Sequence, residues 1–191
     1  MNICLYGASS PALTPAYFEA AEEFGRLLAL HGHTLVYGGG AQGVMGAAAR
    51  GAADAGGALV GIAPSFLNVD GILFDRCTEF ILTSTMAERK AAMIARADAF
   101  VMAPGGFGTL EEFFEVLTLK QLGRHNPAIV ILNTNGFYDR LQEFVLAAVE
   151  QGFIRPACLQ IYTLCATPAE ALACLERYDP ADLDVRHLKN I

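Results

Sequence analysis

The sequence predicts an α/β protein with a doubly wound, mostly parallel sheet and helices on both faces. Three observations predict it. Apolar runs of strand length alternate with stretches whose apolar residues recur every three or four positions. That alternation requires crossover connections, and crossovers make neighbouring strands parallel. Three small-residue turns, Gly7-Ala8-Ser9-Ser10, Gly38 to Gly46 and Pro104 to Thr109, follow apolar runs, where open α/β sheets bind ligands.

Taken in order, Asn2 to Tyr6 reads as a strand, and Tyr17, Ala21, Phe24 and Leu28 then fall at helical spacing. Thr34 to Tyr37 is a second strand, followed by glycines and a small-residue helix over Val44 to Ala55. Ala58 to Ile62 is a third strand. Residues 64–78 carry Pro64, Asp70-Gly71 and polar residues and read as irregular, with a short strand at Glu79 to Leu82. Thr85 to Ala97 is a helix and Ala99 to Ala103 a strand. Leu110, Phe113, Phe114 and Leu117 mark a helix opening near Thr109. The strand Ala128 to Leu132, a helix through Tyr138, Leu141, Val145 and Ala148, a strand at Gln160 to Tyr162 and a helix Pro168 to Arg177 complete the pattern. Residues 1–178 thus form one domain and 179–191 a polar tail, with no repeat, linker or low-complexity run.

Bulk properties narrow the function. The 191 residues suffice for one cored domain. Hydrophobic residues make up 53% and charged residues 17%, an apolar balance that predicts a surface covered by a second copy. Ala58 to Ala63 and Ala128 to Leu132 are far short of the ~20 residues that cross a bilayer. The opening residues lack a basic region and cleavage pattern, so the expected location is the cytoplasm. Cys4, Cys77, Cys158, Cys165 and Cys174 are odd in number with no CxxC spacing, which predicts reduced thiols and no metal site. A net charge of −7 argues against nucleic acid, whose binding displaces counterions with a basic surface. It leaves room for a small anion held by backbone N–H groups.

The loops carry the specific signals. Gly38-Gly39-Gly40-Ala41-Gln42-Gly43 fits GxGxxG, but a dinucleotide site also wants an acid at the end of the next strand. That strand ends Gly61-Ile62-Ala63-Pro64. These glycines serve either close packing or ligand contact. In Pro104-Gly105-Gly106-Phe107-Gly108-Thr109 the proline stops a strand, the glycines let the backbone approach a ligand, and a helix N-terminus follows. Free N–H groups and the positive end of the helix dipole make that a phosphate site. Thr109 and Glu112 also fit a capping box, which would turn the Glu112 carboxylate toward the helix backbone and away from a ligand.

Glu88-Arg89-Lys90 opens the preceding helix. Met86, Arg89, Lys90 and Met93 form one stripe; Ala87, Ala91, Ile94 and Ala95 form another, and spacing alone does not choose the buried one. His31-Gly32-His33 sits at a helix end and suits a cap or solvent; His125 and His187 stand alone. Ser9-Ser10 has no His–Asp pair nearby and suits a turn or a phosphate.

With these residues in place, the chain resembles the Lonely Guy (LOG) family, cytokinin-activating nucleoside-monophosphate phosphoribohydrolases often labelled lysine decarboxylase-like. The PGGxGTxxE signature stands as Pro104 to Glu112, the family's Arg-Lys pair as Arg89-Lys90, and its GGGxxGLMG-like loop as Gly38 to Gly46 with Val44 for the common Leu. The match runs from about Ile3 to beyond Phe153. The first turn departs: Tyr6-Gly7-Ala8-Ser9-Ser10 stands where relatives have a Cys-Gly-Ser-Ser-like stretch. The resemblance implies a Rossmann-like homodimer that cleaves adenine, or an N6-substituted adenine, from ribose 5-phosphate without a cofactor. It implies Arg89 and Glu112 as the catalytic pair. Lys90, Gly105, Gly106, Phe107, Gly108 and Thr109 would hold the nucleotide, with Thr118 as a further contact. Residues 64–84 would shape the base pocket.

Two other readings compete. A pyridoxal-phosphate decarboxylase needs a Schiff-base lysine, and only Lys90, Lys120 and Lys189 exist. A non-catalytic nucleotide or molybdenum-cofactor carrier would keep the glycine loops without needing both Arg89 and Glu112.

Overall fold

The computed structural model describes residues 1–188; the side chain of His187 and all of Lys189 lie outside what it describes. Seven strands form one sheet in the order β4-β3-β2-β1-β5-β6-β7. They are β1 (Asn2–Tyr6), β2 (Thr34–Tyr37), β3 (Ala58–Pro64), β4 (Glu79–Thr83), β5 (Ala99–Met102), β6 (Ala128–Leu132) and β7 (Thr163–Cys165). Every pairing between them is parallel. The chain winds outward from β1 through β2 and β3 to β4, crosses back to β5, then winds the other way. β1 and β5 are therefore neighbours whose connections diverge, which opens a crevice beyond their C-terminal ends.

The helices divide between the faces. α1 (Pro15–Leu30), α2 (Gly43–Asp54) and α6 (Pro168–Arg177) cover one; α3 (Met86–Arg96), α4 (Phe107–Gln121) and α5 (Asp139–Glu150) cover the other. Alternation in β1 shows why two cores result: Ile3 and Leu5 face the first group, Cys4 and Tyr6 the second. α1 and α2 pack at backbone distance, because a Cβ on Gly25 would lie 1.9 Å from the Ala48 carbonyl oxygen. At the N-terminal edge of the strands, His31 Nδ1 and His33 Nε2 meet Glu176 Oε1 at 2.9 and 3.0 Å, and the Met1 amine lies 3.3 Å from His33 Nδ1.

Three expectations need correction. β3 runs on through Ala63 and Pro64, since Pro64 pairs in register with Thr83. The last strand is Thr163–Cys165, not Gln160 to Tyr162: residues Pro156–Gln160 turn as a 3-10 helix, and Ile161 and Tyr162 plug the second core. Burial made that pair look strand-like. α4 opens at Phe107, two residues before the expected start, with Gly106 as its N-cap.

The segment expected to form a polar tail packs back on the domain. Asn126 Nδ2 donates to the carbonyls of Pro180 and Leu183 at 2.7 and 3.1 Å, and Leu188 is buried against the second core. Among the described residues no helix is long and apolar enough to cross a membrane.

Candidate active site

The earlier start of α4 settles the two roles that competed for Glu112. Thr109 falls at the third helical position, so the capping box does not form, and Gly106 caps the helix without a side chain. Glu112 then sits in the second turn on the buried face with Thr109, Phe113, Val116 and Lys120. Its carboxylate points at α3.

Arg89 meets it there. Thr85 caps α3, its hydroxyl accepting from the Glu88 amide at 3.1 Å, while the Glu88 carboxylate accepts from Ser84 N–H at 2.8 Å. This start fixes the helix rotation so that Arg89 and Met93 face inward and Ala87, Ala91 and Ala95 stay exposed. Arg89 Nη1 donates to Glu112 Oε1 at 2.6 Å, and Nε donates to the Ile62 carbonyl at 3.1 Å. Their side chains are 8% and 9% exposed. Burial lifts the Glu112 carboxyl above its ordinary range, and the Arg89 charge only partly pulls it back. The carboxylate is thus more basic than a surface glutamate while still held in place.

The glycine loop lies beside this pair. The Ala103 amide donates to the Tyr6 carbonyl at 2.8 Å and the Ala8 amide to the Pro104 carbonyl at 3.0 Å, so the loop is sewn to the turn after β1. The first-turn amides of α4, on Phe107, Gly108 and Thr109, have no intrahelical acceptor. Thr109 is buried and folds over Gly105, where a Cβ would lie 2.1 Å from Thr109 Oγ1. These elements wall a cleft of ≈ 370 Å³ that holds Arg89, Glu112, Gly106, Phe107, Gly108 and Thr109 together with Ser9 and Ser10. Ser10 Oγ accepts from the Ala12 amide at 3.3 Å, a turn role.

The cleft has two apolar annexes. One, of ≈ 290 Å³, shares Ser9, Met45, Met86 and Arg89 with it and adds Leu67, Ile72 and Leu73. The other, of ≈ 300 Å³, lies behind the loop between Leu13, Tyr17, Pro104 and Phe137. A larger hollow of ≈ 400 Å³ lies between α1 and α2, but Glu19, Glu22, Glu23 and Asp54 line it, and those charges repel a phosphate.

The remaining expected residues fall elsewhere. Lys90 does not itself line the cleft: its ammonium pairs with Glu111, which does, and, at 3.2 Å, with Glu115. Thr118 is exposed, six residues beyond Glu112 on α4, and does not line the cleft. Lys120 is fully buried near the opposite end of α4, its ammonium donating to the Pro127 carbonyl at 2.7 Å and the Tyr178 hydroxyl at 2.9 Å. Neither described lysine therefore faces a pocket suited to a Schiff base.

The Gly38–Gly46 loop serves packing and also lines the first annex, through Gly38, Gly40, Gln42 and Met45. A Cβ on Gly38 would lie 2.1 Å from Arg89 Nη2, so this glycine is the room the arginine occupies. Gly43, at φ +67°, lies against the Ala8 and Ser9 backbone, where a Cβ would meet the Ala8 carbonyl at 2.3 Å. Sequence reasoning missed Gly38's service to Arg89, and it missed Met45 and Tyr138 at the site's edges. Their only sequence trace is that they flank helix starts.

Comparison with known proteins agrees with this geometry. A family model described as "possible lysine decarboxylase" matches residues 45–175. A cytokinin riboside 5'-monophosphate phosphoribohydrolase of Oryza sativa subsp. japonica is 40% identical over 179 residues, covering 94% of this chain and 74% of that one.

The chain belongs to the LOG family.

An Arabidopsis thaliana LOG enzyme of the same description is 38% identical, covering 94% of this chain and 83% of its own. Among solved structures, the molybdenum cofactor carrier protein of Chlamydomonas reinhardtii superposes with a TM-score of 0.72 at 24% identity, over 92% of this chain and 96% of that one. At that identity the agreement concerns the fold. Of the LOG signature, Gly106, Phe107, Gly108, Thr109, Glu111 and Glu112 line the cleft with Arg89 opposite, while Pro104 and Gly105 line the annex behind the loop. The decarboxylase wording names the family and not its chemistry.

Proposed function

We propose that the protein is a nucleoside 5'-monophosphate phosphoribohydrolase. It would hydrolyse the N-glycosidic bond of AMP or an N6-substituted AMP to free base and ribose 5-phosphate. The observation that carries this reading is the buried Arg89–Glu112 pair set in one cleft with the open amides of the α4 N-terminus.

The parts fit the reaction in order. The phosphate sits on the Phe107, Gly108 and Thr109 amides, with the helix dipole behind them. A rise of 1.5 Å per residue sets Glu112 roughly 6 Å along the axis from Gly108, and helical side chains lean back toward the N-terminus. Ribose 5-phosphate spans that interval, which brings C1' to the carboxylate. Glu112 takes a proton from water as it adds to C1', and its charge offsets the oxocarbenium character of the sugar. The C1'–N bond breaks with its electron pair passing to the base, which takes up the proton that water gave to Glu112 and leaves neutral. Arg89 holds Glu112 in line and offsets negative charge on the departing base. Binding energy from the remote phosphate serves positioning, so free nucleosides react poorly.

The base extends past Arg89 into the annex lined by Met45, Leu67, Ile72, Leu73 and Met86, because that annex shares Arg89 with the cleft and the other annex does not. Residues 64–84 then set base preference. Exposed Phe107 and Phe114 on α4, Leu122 at its C-cap and the exposed alanines of α3 supply apolar surface for a second copy of the chain. A homodimer working in the cytoplasm is the assembly we infer.

Incubation with AMP and with isopentenyladenosine monophosphate, followed by chromatography, tests the reading, with adenosine and Glu112→Gln as controls. Base released from a monophosphate, but not from adenosine or by the variant, supports it. Binding of both nucleotides without release moves the assignment to a nucleotide or molybdenum-cofactor carrier.

A further inference from the structure

The glycine loop has little of its own to hold it still. Gly105, Gly106 and Gly108 have no side chains, and Phe107 is 92% exposed; Pro104 and Thr109 supply its buried side chains. Ordering such a backbone is costly in entropy, yet a phosphate cradle works only if its amides already point at the ligand. Part of the order has to come from outside the loop.

Tyr138 supplies it. Its side chain is buried and its hydroxyl donates to the Ala103 carbonyl at 2.9 Å. The phenol thus holds the backbone immediately before Pro104, which has no N–H to offer. With Ala103 N–H bound to Tyr6 and the Pro104 carbonyl bound to Ala8, the entry to the loop is engaged up to the Pro104 carbonyl.

The phenol is itself anchored in the next βα unit. The Tyr138 amide donates to Asn133 Oδ1 at 2.7 Å, Asn133 Nδ2 donates to Asp139 Oδ1 at 2.7 Å, and the Asn133 amide donates to the Cys165 carbonyl at 2.8 Å. Phe137 stacks edge-on against both Tyr138 and Tyr17, with centroids 4.7 and 5.7 Å apart. The brace therefore belongs to the junction of β6 and α5, outside the loop it holds.

We propose that Tyr138 is a positioning residue for the substrate phosphate: its hydroxyl locks Ala103 at the entry to the glycine loop so that the first-turn amides of α4 stand open toward the anion. This rests on the phosphate lying on those amides. The test is Tyr138→Phe, which keeps the ring and removes the oxygen, with Tyr162→Phe as control, since Tyr162 spends its hydroxyl on Gln142 away from the loop. Calorimetry with ribose 5-phosphate and with free adenine reads the two halves of the site separately. In Tyr138→Phe, ribose 5-phosphate should bind about tenfold more weakly and KM for AMP should rise to match. Adenine affinity, kcat and the melting temperature should change little, and Tyr162→Phe should resemble the unmodified protein. Undiminished ribose 5-phosphate affinity, or an equal loss for adenine, overturns the brace. Unmodified protein that fails to bind ribose 5-phosphate sinks instead the phosphate site on which the brace depends.

Discussion

Arg89 reaches Glu112 through Nη1 at 2.6 Å while its Nε is committed to the Ile62 carbonyl at 3.1 Å. The guanidinium is pinned to the end of β3 and cannot follow the carboxylate elsewhere. Glu112 is thus aimed from outside its own helix, whereas the adjacent Glu111 is exposed and pairs with Lys90. The two neighbours should behave differently. Glu112→Gln should lower kcat for AMP by about 10²- to 10⁴-fold, the usual worth of a positioned acid–base group. Glu111→Gln should lose less than about threefold, as expected for a surface pair. Equal losses in base-release assays would remove Glu112 from the chemistry.

The pH profile should carry the mark of burial. In the proposed reaction Glu112 acts ionised, and burial raises its pKa from 4.5 by more than Arg89 lowers it. Activity should therefore fall as pH drops through a value above 4.5. Removing the Arg89 charge with Arg89→Gln should move that limb to higher pH still, read on residual kcat/KM. A limb at the ordinary glutamate value would show the carboxylate to be solvated.

Gly38→Ala places a methyl group where Arg89 Nη2 now stands, at 2.1 Å. Arg89 is buried and bonded at two nitrogens, so it has to give up one of them. We expect kcat/KM to fall at least about tenfold, the worth of one misaligned charged hydrogen bond, with only a small drop in melting temperature. Full activity in Gly38→Ala would mean that the arginine's rotamer does not matter.

Far from the site, Lys120 should tune stability. Burial lowers its pKa from 10.5 to about 8, so between these values the unfolded chain holds more protons than the folded one. The penalty is complete below the folded value and fades as pH rises toward the unfolded one. Measured by denaturation between about pH 7 and 10, the stability of the unmodified protein should gain on that of Lys120→Met as pH rises. A constant difference would show that the ammonium keeps its water.

The sequence disclosed what repeats and what is punctuated. Alternating strand and helix periods, with glycines after strands, were enough for the sheet and its crevice. Where a helix began was less legible. Thr109-Leu110-Glu111-Glu112 fits a capping box, but Gly106 started α4 earlier, and that shift of two residues turned Glu112 toward Arg89. The inward stripe of α3 was undetermined for a similar reason: alanines and long side chains fit a buried face equally well until a facing carboxylate chooses. Lys90 shows a different limit. Its place in the motif suggested a nucleotide contact; the structure pairs its ammonium with two glutamates on α4, and pairing across helices leaves no local pattern. Tyr138 was invisible because the partner of its hydroxyl is a backbone atom of a distant loop.

The ends of the sheet also differ in use. The cleft opens where β1 and β5 finish, and the corner formed by Met1, His31, His33 and Glu176 lies where β1 and β2 begin. The molecule has a mouth and a heel. A linker, dye or solid support attached at the heel would leave the mouth facing the bulk liquid, so immobilised copies would all present their clefts outward and turn over substrate at the rate of free ones.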